Sequence, residues 1–293
     1  MFFRNIAHAL LSDQKPPRIH LVLFNYFQGG HMELEGQVAL ITGGTRGIGR
    51  GIAEAFVAEG ANVVINGRSS EKGQRALDEM NAGDQVHFIA GDVTSREVCD
   101  GLVDQTVEHY GKIDIVVPNA GGGTAEGEEP SPLVDLTDNN WDFVLDWNLN
   151  HPMWLMRRAL KYMIPQKSGR IMSVSSMYGK VVIPSQAPYC TTKHALNGLT
   201  KVVAQEVGEM GITVNALCPG GILTDVMQES GPAAAEQLGM EFEEFLTWMQ
   251  QPSAIKRMNT VEDCALVAVL LASEAGAGIT GSLISIDGGQ APY

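Results

Sequence analysis

Residues 37–51 read Gln-Val-Ala-Leu-Ile-Thr-Gly-Gly-Thr-Arg-Gly-Ile-Gly-Arg-Gly, and no other stretch restricts the fold as tightly. The apolar run at 38–41 suits a short strand buried on both faces. A glycine-rich turn follows, and residues 52–59 take up helical spacing. Strand, glycine turn and helix form the unit with which a doubly wound sheet holds a dinucleotide. Backbone comes close to the pyrophosphate, whose charge sits at the helix N-terminus. A Cβ in the turn would block that approach or forbid the dihedrals. The spacing Gly43, Gly47, Gly49 is one residue longer than the usual fingerprint. Alone, such a pattern is weak and its bland reading is a plain tight turn; the flanking strand and helix favour the cofactor reading.

The rest of the chain alternates in the same way. Strands are expected at 62–65, 86–90, 113–117, 170–174, 213–217 and 283–286. Helices are expected at 70–81, 97–110, about 139–163, 188–209 and 261–272. A Gly/Glu/Pro loop occupies 121–132. This order implies an α/β protein of three layers, a doubly wound, mostly parallel seven-stranded sheet of Rossmann type. Ligands of such sheets lie beyond the carboxyl ends of the strands. The polar clusters at 66–69, 91–93, 118–121 and 287–289 all fall there.

The length of 293 residues, without linker or repeat, favours one domain over 32–293. A net charge of −14 argues against a nucleic-acid partner. Cys99, Cys190, Cys218 and Cys264 are scattered, as expected of reduced, buried thiols in a cytoplasmic protein with no metal site. Residues 1–31 differ in character. Their longest apolar run, 19–27, is too short to span a bilayer. The Tyr26–Met32 stretch resembles the scar of a protease-cleavable tag, so 1–31 is read as a tag or tail and Met32 as the native start.

Tyr189 and Lys193 are four apart at the start of a helix and share one face, while Ser176 ends the preceding strand. Each alone is an ordinary surface pattern. Together they resemble the serine, tyrosine and lysine of the short-chain dehydrogenase/reductase family. Thr42 with the glycine turn, Asn119-Ala120-Gly121, Asn148, and Pro219-Gly220 with Thr224 match that family's other elements. The matches run from about 35 to 289. Pro118 stands where the family often has a second asparagine, and Ala187-Pro188 precedes the tyrosine. Proline suits a helix's first turn.

The resemblance implies an oxidoreductase that interconverts a ketone and a secondary alcohol, with Tyr189 as acid/base. Ser176 would bind the substrate oxygen, Lys193 the nicotinamide ribose, and Asn148 a water that relays protons. A free tyrosine has a pKa near ~10, and lowering it to ~7 needs about 4 kcal/mol. An ammonium ~5 Å away supplies roughly 3.3 kcal/mol at an effective dielectric of ~20. Lys193 is therefore expected to do most of that work. Around the cofactor the resemblance implicates Gly43, Thr45, Arg46, Gly47, Ile48 and Gly49 in the turn. Asp92 and Val93 would flank the adenine. Asn119, Ala120 and Gly121 would line the groove, with Pro219, Gly220, Ile222 and Thr224 beyond the sixth strand.

No acid follows the second strand, where one would bind the ribose diol; Gly67 and Arg68 stand there instead. With Arg46 this favours NADP(H) over NAD(H), unless both arginines are merely solvated surface groups. The insert at 221–252 carries Met227, Leu238, Met240, Phe242, Phe245, Leu246, Trp248 and Met249. It is expected to be a substrate lid, although most of these side chains would pack it onto the core. Met177, Tyr178 and Ile183 are further candidates for the pocket wall, and an apolar ketone is the favoured substrate. Reduction of a 3-oxoacyl thioester on acyl carrier protein or CoA is an alternative, as is a nicotinamide-binding scaffold or sensor without turnover. A sugar-nucleotide epimerase or dehydratase ranks below both. The family implies a homotetramer, or a homodimer, with the helices at 139–163 and 188–209 as interface elements.

Overall fold

The computed structural model describes residues 32–291, apart from Leu238. The tag expectation for 1–31 lies outside the described residues. Seven strands form one parallel sheet: β1 (Val38–Thr42), β2 (Asn62–Gly67), β3 (Val86–Ala90), β4 (Ile115–Val117), β5 (Gly169–Val174), β6 (Ile212–Pro219) and β7 (Leu283–Ile286). Their order across the sheet is β3-β2-β1-β4-β5-β6-β7, and every pairing is parallel. The chain reverses direction between β1 and β4. A crevice therefore opens there beyond the strand ends.

Helices cover both faces. α1 (Gly47–Ala58) packs on α9 (Val261–Ala272). Gly51 permits that crossing, since a Cβ there would run into Val261. α2 (Ser70–Met80) lies against β2 and β3. On the other face α3 (Arg96–Tyr110) packs on α5 (His151–Gln166), which meets α6 (Ala187–Val207). Leu40, Val64, Val116, Ile171 and Val214 from the sheet meet Leu102, Val103, Leu155, Ala159, Met163, Leu196 and Val203 in one buried cluster. Side chains of this size each contribute about 1.5–3 kcal/mol on burial.

The structure differs from the sequence reading in four places. α1 begins at Gly47, five residues before the apolar spacing does. Glycines hide a first turn that carries no core-facing side chain. β4 spans only Ile115–Val117. The long helix expected at 139–163 is α4 (Asp138–Leu145), a π turn (Asp146–Asn150) and α5. The His151 N–H closes this turn on the Asp146 carbonyl, and Pro152 has no N–H for the carbonyls four and five residues back, those of Asn148 and Trp147. Lastly, the insert at 221–252 holds two helices, α7 (Asp225–Gln237) and α8 (Phe242–Gln250).

Candidate active site

The glycine turn is built around an amide. Asn119 Nδ2 donates to the carbonyls of Thr42 (2.8 Å) and Gly43 (3.3 Å). A Cβ on Gly43 would stand 2.9 Å from that nitrogen, and one on Gly49 would run into it. Gly43 and Gly47 also need positive φ, +64° and +57°. Serines or a threonine cap α2, α3 and α9, each with an acid in its first turn. α1 has neither: its N-cap is Arg46, with no side-chain cap bond and no acid in the first turn. Its first N–H groups, those of Gly47, Ile48 and Gly49, therefore receive no side-chain cap.

Thr45 lies over the end of β2, where a Cβ on Gly67 would come within 3.0 Å of its methyl. Arg68 is exposed there. Arg46 instead reaches α7 and pairs with Glu229 at 3.1 Å, both side chains well exposed. Asp92 closes a turn by accepting from the N–H and hydroxyl of Thr94. Val93 is buried. Asn66 was not singled out from the sequence. Its Nδ2 donates to the carbonyls of Ile89 (3.0 Å) and Gly91 (3.1 Å), joining the ends of β2 and β3. The available signal was an amide closing an otherwise apolar strand.

Four side chains meet beyond β4, β5 and α6. Lys193 is buried, donates from Nζ to the Val174 carbonyl (2.9 Å), and lies 5.6 Å from the Tyr189 ring centroid. Ser176 Oγ accepts the Tyr178 N–H at 3.1 Å, and its hydroxyl lies close enough to Tyr189 to favour the phenolate. Asn148 sits in the π turn. Its Oδ1 accepts from Gly122 N (3.1 Å), while Nδ2 donates to Gly122 O (2.8 Å) and Thr192 Oγ1 (3.2 Å). A Cβ on Gly121 would stand 2.5 Å from Asn148 Oδ1 and 3.4 Å from Lys193 Nζ. Gln186, three residues before Tyr189, keeps a buried Oε1 without a partner beside Gly123. Nothing in the sequence marked it.

Burial pushes the Lys193 amine down to about 8. Tyr189 departs from the sequence expectation. Burial raises its phenol above the ordinary value, against the pull of the Ser176 hydrogen bond, and nearby Cys190 and Tyr178 raise it further. In the protein alone, taking a phenolate out of water outweighs that hydrogen bond. Lys193 is itself desolvated and engaged with Val174.

Beyond β6, the Gly220 N–H bonds the Ile286 carbonyl at 3.0 Å, and a Cβ on Gly220 would stand 2.8 Å from the Asp287 Cα. Ile222 bridges Asn259, whose Nδ2 also holds the Ile286 carbonyl (2.8 Å); Asn259 was another amide unmarked by the sequence. Thr224 Oγ1 accepts from Met227 N and caps α7. In α8 Phe245 is buried, whereas its neighbour Trp248 is 49% exposed. Among the described residues no cluster of three or more His, Cys, Asp or Glu is placed to hold a metal, and no helix is long and apolar enough to cross a membrane.

The short chain dehydrogenase family model matches residues 37–235. The 3beta-hydroxysteroid dehydrogenase of Mediterraneibacter gnavus is 34% identical over 270 residues, covering 88% of this chain and 95% of the relative. The 3-oxoacyl-(acyl-carrier-protein) reductase of Chlamydia muridarum is 34% identical over 260 residues, covering 88% and 98%. Among solved structures, an actinorhodin polyketide ketoreductase with NADPH superposes with a TM-score of 0.81 at 31% identity, covering 88% of this chain and 98% of that one. The chain belongs to the short-chain dehydrogenase family, and its sheet is that family's Rossmann-type fold.

Proposed function

We propose that the chain interconverts a ketone and a secondary alcohol, with Tyr189 as acid/base and NADP(H) as the preferred cofactor. The observation that carries this reading is the meeting of Ser176, Tyr189, Lys193 and Asn148 beside an uncapped helix N-terminus. A nicotinamide dinucleotide fits that setting. Gly43, Thr45, Gly47, Ile48 and Gly49 would hold the pyrophosphate, and Asp92 and Val93 the adenine. Asn119, Ala120 and Gly121 would line the groove, Lys193 would take the ribose, and Pro219, Gly220, Ile222 and Thr224 the far end. When bound, the nicotinamide exchanges the hydride with the substrate carbon.

Tyr189 gives its phenolic proton to the carbonyl oxygen in reduction and takes it back from the hydroxyl in oxidation. Ser176 Oγ accepts from Tyr178, and its hydroxyl proton would turn from Tyr189 to the substrate oxygen. The Lys193 ammonium, 5.6 Å from the Tyr189 ring centroid, favours the phenolate by charge attraction. That opposes the cost of burial. The Asn148 amide is committed to Gly122 and Thr192. Any water relay at this residue would therefore use its carbonyl, to which Pro152 cannot donate.

Support for NADP(H) is the absence of an acid after β2 and the exposed Arg68 beside it. The ketoreductase neighbour, described with NADPH, is consistent with this. Arg46 contributes only if it leaves Glu229, and such an exposed pair is worth at most about 1 kcal/mol. For the substrate, Trp248 and the apolar residues of α7 and α8 favour a hydrophobic ketone, and 3-oxoacyl thioesters stay within that class. The relatives named above span steroid and acyl substrates. Exposed Val202 on α6 is consistent with a homotetramer or homodimer. Absorbance of NADPH and NADH should be followed with a 3-oxoacyl thioester, a 3-ketosteroid and a cyclic ketone. Turnover of at least one, faster with NADPH, is expected. No turnover of any would leave the scaffold reading.

A further inference from the structure

His151 is wholly buried at the junction of the π turn and α5. Its Nδ1 lies 3.0 Å from the Trp147 carbonyl, and its Nε2 3.0 Å from Thr42 Oγ1. Only one arrangement of protons satisfies both. A carbonyl accepts, so Nδ1 carries the hydrogen. Thr42 Oγ1 already accepts two backbone N–H groups, those of Asn119 (3.0 Å) and Ala120 (3.2 Å). Both of its lone pairs are then used, so its own proton goes to a bare Nε2. The result is a single chain of hydrogen bonds. It runs from the Asn119-Ala120 loop through Thr42 and a neutral imidazole to the turn that carries Asn148.

The Trp147 carbonyl needs such a donor. In the π register its backbone partner would be residue 152, a proline. We propose that His151 is a positioning residue that latches the Asn148 turn to the end of β1 and to the Asn119-Ala120 loop, fixing proton path and cofactor groove against each other. A space-filling side chain would leave the Trp147 carbonyl without this donor and the Thr42 hydroxyl proton without an acceptor in the interior. The proposal takes the oxidoreductase reading for its kinetic consequences, but the hydrogen-bond pattern stands apart from it.

Two measurements test it. The first is ¹⁵N NMR of the unaltered protein labelled at histidine, with His151 assigned by its loss in H151Q. The Nδ1–H neutral tautomer at pH 7 is expected. An Nε2–H tautomer or an imidazolium overturns the proposal. The second is steady-state kinetics with NADPH and whichever ketone the unaltered protein reduces. In H151N the amide nitrogen takes the place of Nδ1 and keeps the Trp147 bond. In H151Q the amide oxygen takes the place of Nε2 and keeps the Thr42 bond. H151N should therefore mainly raise the cofactor KM, H151Q mainly lower kcat, and H151L do both, with kcat down about 10- to 100-fold. Equal kinetic effects of H151N and H151Q, or unchanged kinetics in H151L, overturn it. If H151L does not fold, the other two variants and the tautomer still decide. An unaltered protein inactive on every ketone would refute the oxidoreductase reading and leave the tautomer result intact.

Discussion

Replacing Lys193 with methionine should stabilise the isolated protein while abolishing its turnover. Burial brings the Lys193 amine from 10.5 to about 8. That shift corresponds to about 3 kcal/mol of unfavourable charge burial at ~1.36 kcal/mol per unit. Methionine removes the charge but also the bond to the Val174 carbonyl, which is worth about 1–2 kcal/mol. The net gain at pH 7 is about 1–2 kcal/mol. In a domain of this size each kcal/mol moves Tm by about 2–4 °C. The direction with pH is fixed. Below pH 8 lysine is protonated in both folded and unfolded chains, and the penalty is present in full. Between pH 8 and about 10.5 the unfolded chain holds a proton that the folded one has lost, so the unaltered protein gains stability as pH rises. The methionine variant's advantage should therefore shrink over that window. Thermal unfolding by near-ultraviolet circular dichroism at pH 7 and pH 10, without added nucleotide, measures it. Turnover should fall at least ~10²-fold, as for loss of acid/base assistance. A variant less stable at pH 7, or an advantage that does not change with pH, would refute the buried-ammonium argument.

Gly121→Ala should reduce kcat more than ~10-fold, because the added methyl would press on Asn148 Oδ1 at 2.5 Å and crowd Lys193; unchanged kinetics would show that the two groups have room. Arg68→Ala should raise the KM for NADPH and leave that for NADH nearly unaltered, whereas Glu229→Gln, by freeing Arg46, should lower the KM for NADPH. The ratio of kcat/KM for the two cofactors reads both effects. The four cysteines are buried, with Cys99 and Cys264 pushed up to about 12. Ellman's reagent should label none of them until denaturant is added.

Most of this architecture was legible because the residues that define it also carry periodic or compositional signals. The strands stood out as apolar runs between turn residues, and glycine spacing located the turn that joins β1 to α1. Tyr189, Lys193 and Ser176 could be placed together, since one helix turn and one strand end fix them relative to the sheet. The π turn was not legible. Residues 139–163 keep an amphipathic spacing throughout, and only the proline at 152 hinted at a break. The amides of Asn66 and Asn259 were equally hidden, as their partners are backbone carbonyls far away in sequence. His151 looked like one polar residue on a helix. Its meaning comes from Thr42, 109 positions earlier. The direction of the Tyr189 shift was misjudged for a related reason: charge spacing can be read from sequence, whereas depth of burial requires the packed structure.

The central claim is that the Tyr189 hydroxyl moves the proton while the rest of the site only binds and orients. Tyr189→Phe removes that one atom. Its kcat should be measured with NADPH and a ketone that the unaltered protein reduces, alongside NADPH binding followed by nucleotide fluorescence. A fall of at least ~10³-fold in kcat with unaltered nucleotide affinity is expected. Turnover within ~10-fold of the unaltered protein would mean that another group carries the proton, and the assignment would fail.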